Sequence, residues 1–371
     1  MPLRFHWRLL QGGETSGTTR SRQNTIPEIA LPDLDRQAAF ATDACAAGAD
    51  ALLTDFGFAK PDPILLAAAV GARVPAARFI IAYRSGLIAP VSFVQLVNTL
   101  STLLNGRCSL NIVAGHSPAE QRSYGDFLAH DDRYARTDEF LDICHRFWRS
   151  GGGPVNFTGR FYQVEGGRLH TPFVSNNGWP HPEIYIAGNS ETARELAVRR
   201  GTCWMRLAGT PEEAAVAAAA VRPAGVELGL RLSVVAAPTR AEALRQAREL
   251  VKQLGQDAPD QDQERRFIRN SDSVSMGTLY RAAGVTEWLT PTLWTGLVQT
   301  HGSASVALVG SAQEVADALL EYGRAGVSQF ILSGWPKWDT VQFFGQEVLP
   351  RIRNREAPDS TTPRLKGRTN G

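Results

Sequence analysis

Short β-rich apolar runs alternate with longer helical patterns along almost all of the 371 residues, and that order leaves few architectures open. The runs fall at 5–9, 51–54, 79–82, 110–113, 183–186, 202–205, 228–234 and 329–332. Helical patterns fill 33–47, 91–104, 134–148, 190–200, 211–221, 240–254 and 312–325. Ser190 and Thr210 precede first turns that carry Glu191 and Glu212, while Gly48, Gly201 and Gly326 follow helix ends. Repeated strand-helix units build a parallel sheet, and eight strands are the number that closes one on itself. The expected fold is therefore α/β, a (β/α)8 TIM barrel.

Two segments break the rhythm. Residues 155–157 and 161–164 flank Thr158-Gly159-Arg160 and predict a hairpin inserted after the fourth helix, about 154–170. The second segment, about 255–305, precedes the last strand-helix unit and is polar at its start. A connection of that length in a compact domain is expected to act as a lid over the active site. Residues 1–353 are then one barrel domain, and 354–371, without apolar periodicity, a solvated tail.

Composition removes several classes of function. The net charge of +2 is spread without a basic block, so no nucleic-acid partner is expected. Cys45, Cys108, Cys144 and Cys203 are widely spaced and form no paired motif, which suits neither a disulfide framework nor zinc; no metal is expected. The start shows no leader pattern and no apolar run reaches membrane-spanning length, so a cytoplasmic protein that makes no membrane contact is expected. No Gly-x-Ser-x-Gly elbow or Gly-x-Gly-x-x-Gly turn supports a hydrolase or a Rossmann dinucleotide site.

In a parallel barrel the chemistry gathers beyond the carboxyl ends of the strands. Those positions hold Gln11-Gly12-Gly13-Glu14, Asp55 to Lys60, Tyr83-Arg84-Ser85-Gly86, Gly115-His116-Ser117, Gly188-Asn189-Ser190, Arg206, Ser233 and Ser333-Gly334-Trp335. Gly188-Asn189-Ser190 opens a helix, which serves either as an ordinary cap or as a cradle of backbone N–H groups for phosphate. Tyr134, at the start of another helix, is either a packing residue or a donor to the same phosphate. His116 is either a loop hydrogen-bonder or a ligand contact. Arg231 lies in an apolar run, where a charge needs a partner; Lys60 is as well explained by solvent as by a ligand.

Several segments, in their order and spacing, resemble the luciferase-like flavin monooxygenases, most closely the alkanesulfonate monooxygenase branch. They include Phe5-His6-Trp7, Asn105-Gly106-Arg107, Leu110 to Gly115, Asp132-Arg133-Tyr134, Pro182 to Ser190, Leu293 to Val298, Ala307 to Gly310 and Ser333 to Pro336. The resemblance spans nearly the whole chain. It implies reduced FMN (FMNH2) bound at the mouth by His116, Ser117, Tyr134, Gly188, Asn189 and Ser190. It further implies reaction with O2 through a flavin peroxide and insertion of one oxygen atom into a small-molecule substrate, with an organosulfur compound as the class the branch points to. A separate NAD(P)H-dependent flavin reductase and a homo-oligomer are implied as partners. Where that branch has a cysteine, a strand-seven Arg-x-His pair, an insertion arginine and a tyrosine, this chain aligns Lys60, Arg231 with Ser233, His301 and Trp335, so Arg231, His301, Trp335 and Lys60 are the expected catalytic residues. Only Arg231 matches. Two alternatives accompany this reading: a deazaflavin-dependent oxidoreductase on the same barrel, and a flavin-binding protein without catalysis.

Overall fold

The computed structural model describes residues 2–10, 32–57, 60–115, 117–256 and 271–356. Its strands are, in chain order, β1 (Arg4–Arg8), β2 (Ala51–Thr54), β3 (Phe79–Arg84), β4 (Cys108–Val113), β5 (Val155–Thr158), β6 (Gln163–Gly167), β7 (Ile184–Ala187), β8 (Cys203–Leu207), β9 (Glu227–Ala237), β10 (Leu293–Trp294), β11 (Ala307–Ser311) and β12 (Val327–Gly334). The order β1-β2-β3-β4-β7-β8-β9-β12 is parallel throughout and returns to β1, where Phe5 pairs with Phe330. All eight expected runs are barrel strands, displaced by no more than a few residues.

The helices are α1 (Leu34–Ala46), α2 (Pro63–Arg73), α3 (Pro90–Leu103), α4 (Pro118–Ser123), α5 (His130–Arg149), α6 (Glu191–Arg200), α7 (Pro211–Val221), α8 (Arg240–Gln256), α9 (Val274–Ala283), α10 (Val298–His301), α11 (Ala312–Arg324), α12 (Lys337–Phe343) and α13 (Leu349–Glu356). Their starts follow local chemistry. Asp62 accepts from the N–H groups of Ile64 and Leu65 ahead of Pro63, while Thr210 with Glu213 and Ser311 with Glu314 form reciprocal capping boxes. On α11, Val315, Ala316, Leu319 and Tyr322 form the stripe buried against the barrel. None of the described helices is long and apolar enough to cross a membrane.

Strand alternation divides the core in two. Leu52, Phe79, Ile81, Leu110 and Ile112 join the large cluster packed under the helices. Ala51, Leu53, Ile80, Ala82, Tyr185, Cys203, Met205 and Ile331 form a separate cluster that fills the middle of the barrel. Below it, at the amino end, Arg4 bridges Glu183 (2.8 Å) and Glu227 (2.7 Å). Beside this pair, Gln329 accepts from Tyr185 Oη (2.7 Å), lies 2.9 Å from His6 Nε2 and donates to Glu227. Burial pulls His6 down to about 4 despite that hydrogen bond to Gln329. Above the apolar middle, charge returns. Strand β1 thus sends Arg4, His6 and Arg8 to three successive levels at two-residue spacing.

Several expectations need adjusting. The hairpin is present, but its second strand starts at Gln163 instead of 161, because Glu139 accepts from the N–H groups of Arg160, Phe161 and Tyr162 and holds them in the turn. Helices α2 and α4 were not anticipated. Strand β9 runs eleven residues; its outer half pairs with β11, which in turn carries β10 antiparallel, so the long segment before the last unit adds sheet as well as helix. The terminal helix continues to Glu356, past the expected boundary at 353, because Glu356 accepts from Leu3 N–H (2.6 Å) and Arg353 (2.6 Å).

Candidate functional site

A cavity of about 510 Å3 opens at the carboxyl end of the barrel, a size typical of sites for cofactors and small ligands. Among the described residues its lining carries Arg8, Lys60, Arg84, Arg206 and Arg231, with His130, against the acidic Asp55 and Glu120. The insertion contributes Ser273 to Met276 and Gly302 to Ala304. A second depression, between α5 and α6, is lined by Asp138 and Asp142, which are already paired with Arg199 and Arg200 and serve to join those helices.

One wall is built from β1, β2 and β9. Asp55, 4% exposed, accepts from Arg8 Nε (2.7 Å) and Nη2, stands 3.3 Å from Lys60 Nζ and 3.7 Å from Arg231 Nη2. Burial alone raises a carboxyl pKa, but the fields of Arg8, Lys60 and Arg231 hold Asp55 well below the usual range. Burial also pulls Arg231 down to about 10, with Asp55 opposing and Arg8 adding to the fall, so the guanidinium stays charged at neutral pH. Lys60 and Arg231 therefore face the cavity as cations fixed by one carboxylate, and Lys60 is tied down instead of waving in solvent.

The opposite wall is built from α5, β7, β8 and the start of α6. Gly188 has φ +134°, and a Cβ there would lie 2.8 Å from Tyr134 Oη, so only glycine lets the phenol approach this turn. Burial raises the Tyr134 pKa, opposed by its hydrogen bond with Ser190 and by Arg133, which leaves a phenol able to donate at neutral pH. Ser190 caps α6 by accepting from Ala193 N–H (3.2 Å). The amide of Asn189 is spent on the backbone of Leu207, accepting from its N–H (3.1 Å) and donating to its carbonyl (3.4 Å), which ties β7 to β8. Arg206 lies over the Trp204 ring at 4.7 Å, and its buried Nε has no hydrogen-bond partner among the described residues.

The insertion is fastened beside this wall. Arg133, 2% exposed, donates to the carbonyls of Ala114 and Leu128 (3.0 Å each) and to Asp272 Oδ2 at 2.5 Å, so a single guanidinium joins the end of β4 to the start of the segment that lines the mouth. Gly115, at φ +83°, leaves room for Gln121, whose Nε2 donates to Ala114 O (3.0 Å).

Of the expected residues, Ser117, Tyr134, Gly188, Asn189, Ser190, Lys60 and Arg231 line one cavity. Ser117 also caps α4 through Glu120 N–H (3.3 Å). His116 and the segment 11–14 lie outside the described residues. The backbone of His301 closes α10, next to the Gly302 to Ala304 turn; its side chain lies outside what is described. Trp335 departs from expectation: it packs on a satellite cluster of Val235, Ala247, Leu250 and Trp294 and does not line the cavity, because the outer half of β9 with β11 and α8 offers it an apolar surface. Arg8, Asn111 and Glu120 were not singled out by sequence, and Asp55 and Arg84 were named only among the strand-end residues, although inward parity two residues beyond His6, Leu53 and Ala82 marks Arg8, Asp55 and Arg84. Among the described residues no His, Cys, Asp and Glu group is arranged to hold a metal ion.

Known structures share this architecture. The chain aligns with riboflavin lyase solved with modified FMN and riboflavin (TM-score 0.75, 22% identity, 96% of this chain and 92% of that one). It also aligns with EDTA monooxygenase from Chelativorans sp. BNC1 (0.73, 21%, 96% and 94%) and with an F420-dependent secondary alcohol dehydrogenase (0.64, 16%, 95% and 100%). Residues 3–329 match the profile of the luciferase-like monooxygenases. With its closed parallel barrel and this match over most of its length, the chain belongs to the luciferase-like monooxygenase family.

Proposed function

We propose that the protein is a two-component, FMNH2-dependent monooxygenase that transfers one oxygen atom from O2 to a small organic substrate, with an alkanesulfonate-like organosulfur compound as the first class to try. The observation that carries this reading is the pairing of the Tyr134–Gly188–Ser190 cradle with a cationic wall across one cavity. The residues present fit FMN. A phenol, a hydroxyl and Arg206 suit a phosphate, and buried polar atoms on Asn111 and Arg84 lack partners among the described residues. When bound, the reduced flavin supplies the electrons that activate dioxygen.

The chain's own groups position and shield. Tyr134 donates to the phosphate at the mouth of α6, and Gly188 gives the phenol room to reach it. Asn189 keeps β7 and β8 in register beneath it. Across the cavity, Asp55 fixes Lys60 and Arg231 so that their charges meet the substrate without side-chain rearrangement. His301, at the end of α10, is the remaining candidate on the substrate side. Residues 273–276 and 302–304 of the insertion, fastened through Arg133 and Asp272, line the mouth and would help exclude water, which matters because activated oxygen that escapes is wasted as hydrogen peroxide.

Residues 1–353 act as one catalytic unit that functions in the cytoplasm, assembles as a homo-oligomer and receives reduced flavin from a separate NAD(P)H-dependent reductase. The test is an anaerobic titration of the full chain with FMNH2 and, in parallel, reduced F420, followed by mixing with O2. Tighter binding of FMNH2 and substrate-dependent coupling of O2 to product are expected. Tighter F420 binding reassigns the cofactor, and peroxide release with every substrate tried removes the monooxygenase reading.

A further inference from the structure

The chain holds three methionines, Met1, Met205 and Met276, and the last two line the cavity at the barrel mouth. Their surroundings differ. Met205 is 3% exposed and belongs to the apolar cluster in the middle of the barrel. It packs so closely on Gly229 that a Cβ there would overlap Met205 Cε and lie 3.1 Å from Sδ. Met276 is only half-buried, in the first turn of α9, on the part of the insertion that lines the mouth. Its N–H donates to Ser273 Oγ (3.4 Å) and its carbonyl accepts from Ser303 Oγ (3.0 Å), so the residue is fixed at the mouth. Its sulfur accepts from Ser271 Oγ at 3.5 Å.

A thioether is soft and polarisable, and its oxidation to a sulfoxide turns a flexible apolar side chain into a polar one. Susceptibility follows exposure, which separates these two residues although their chemistry is the same. The Ser271 hydroxyl suits the product as well as the thioether, because sulfur is a weak acceptor and a sulfoxide oxygen a strong one. Met276 thus places an oxidisable sulfur, with a donor ready for the oxide, on the wall of the cavity assigned to oxygen transfer.

We propose that Met276 is a self-oxidation site: when no substrate occupies the mouth, the oxygen atom that reduced FMN and O2 deliver there passes to Met276 Sδ. This step rests on the flavin reading above and adds a modification site to it. FMNH2, O2 and the thioether give FMN, the sulfoxide and water. The O–O bond breaks and an S–O bond forms. Flavin and sulfur each give two electrons, and the second oxygen leaves as water with the two flavin hydrogens. Met205 is spared by its packing. The sulfoxide adds a polar group beside the contact that joins Met276 to Ser303, so the modified protein turns over more slowly until a methionine sulfoxide reductase restores the thioether.

The test mixes the full chain with FMNH2 and isotopically heavy O2 without substrate, in the presence of catalase to remove free peroxide, and weighs the digested peptides. The peptide carrying Met276 should gain one heavy oxygen atom roughly tenfold more often than the peptide carrying Met205. Hydrogen peroxide added to flavin-free protein should oxidise the two residues in the same order. The wild-type rate should decay as sulfoxide accumulates and recover on treatment with the reductase. Met276→Leu, close in volume, should lose the modification and hold its own initial rate over repeated turnovers. Equal labelling of the two residues, no label in a chain that binds FMNH2, or a wild-type rate that stays constant while sulfoxide accumulates overturns the proposal and leaves the flavin reading intact. No binding of FMNH2 removes both. The wild-type labelling decides the matter even if the variant fails to fold.

Discussion

The two ends of the barrel interior use the same chemical alphabet to different ends. At the amino end Arg4, Glu183, Glu227, Gln329, Tyr185 and His6 form a network in which His6 Nδ1 is the buried polar atom left without a partner among the described residues. At the carboxyl end Arg8, Asp55, Lys60 and Arg231 form another network, but three residues lining the cavity, Arg84, Asn111 and Arg206, keep buried polar atoms without partners among the described residues. The apolar layer of Leu53, Ala82, Tyr185, Met205 and Ile331 separates the two. Satisfied polar groups specify a fold, whereas unsatisfied ones at a cavity wall mark where a ligand completes the structure.

This contrast can be broken by substitution. The largest effect is expected from Asp55→Asn, which strips three cations of a shared buried anion and should cost about 3–5 kcal/mol in denaturant unfolding. The wild-type contribution of Asp55 is present above the unfolded carboxyl pKa of about 3.9 and is lost as pH falls toward its depressed folded value. A loss under 1 kcal/mol would mean that the wall is not a coupled unit.

Acid should reach the amino end first. Buried His6 titrates at about 4 in the fold and near 6.5 when unfolded, so below pH 6.5 the unfolded state takes up the proton preferentially. Stability should fall by about 3 kcal/mol between pH 6.5 and 4 on this account alone. His145, on α5, is also pulled down to about 4 and adds to that window, so His6→Gln should flatten the slope in part. An unchanged slope would show that His6 is not the titrating group.

Smaller effects sharpen the comparison. Tyr134→Phe should weaken FMN binding by about 0.5–1.5 kcal/mol, with little change in unfolding midpoint. Tyr185→Phe, at the closed end, should do the reverse, costing about 1 kcal/mol of stability through the lost bond to Gln329 and leaving flavin affinity alone. Asn111→Leu should be nearly neutral or slightly stabilising in thermal unfolding of the unliganded protein, since it removes an unpaired buried group. A marked loss of stability there would show that the amide already has a structural partner.

The eight barrel strands were legible because each is an apolar run set off by a helix, a pattern that local residues encode. Helix α2 was missed although Asp62-Pro63 carries its start signal, and β10 and β11 were missed because two- and five-residue strands that pair outside the barrel leave no alternation. Lys60, Ser117 and the Gly188 to Ser190 turn, drawn from positions just beyond strands, and Tyr134, drawn from a helix start, line one cavity. The strand-end rule misplaced Trp335, since nearness to a strand end does not say which way a side chain turns. Asp55 and Arg84 were in view as loop residues, but their roles depend on inward parity and on partners far away in sequence, which only the closed ring brings together.

The most direct test is a crystal structure of the protein with FMN bound. The account predicts the phosphate within hydrogen-bond reach of Tyr134 Oη and Ser190, with the ring lying in the mouth against the β3–β4 wall. A flavin whose phosphate instead sits on Arg8 and Lys60, or one bound outside the mouth, would contradict it.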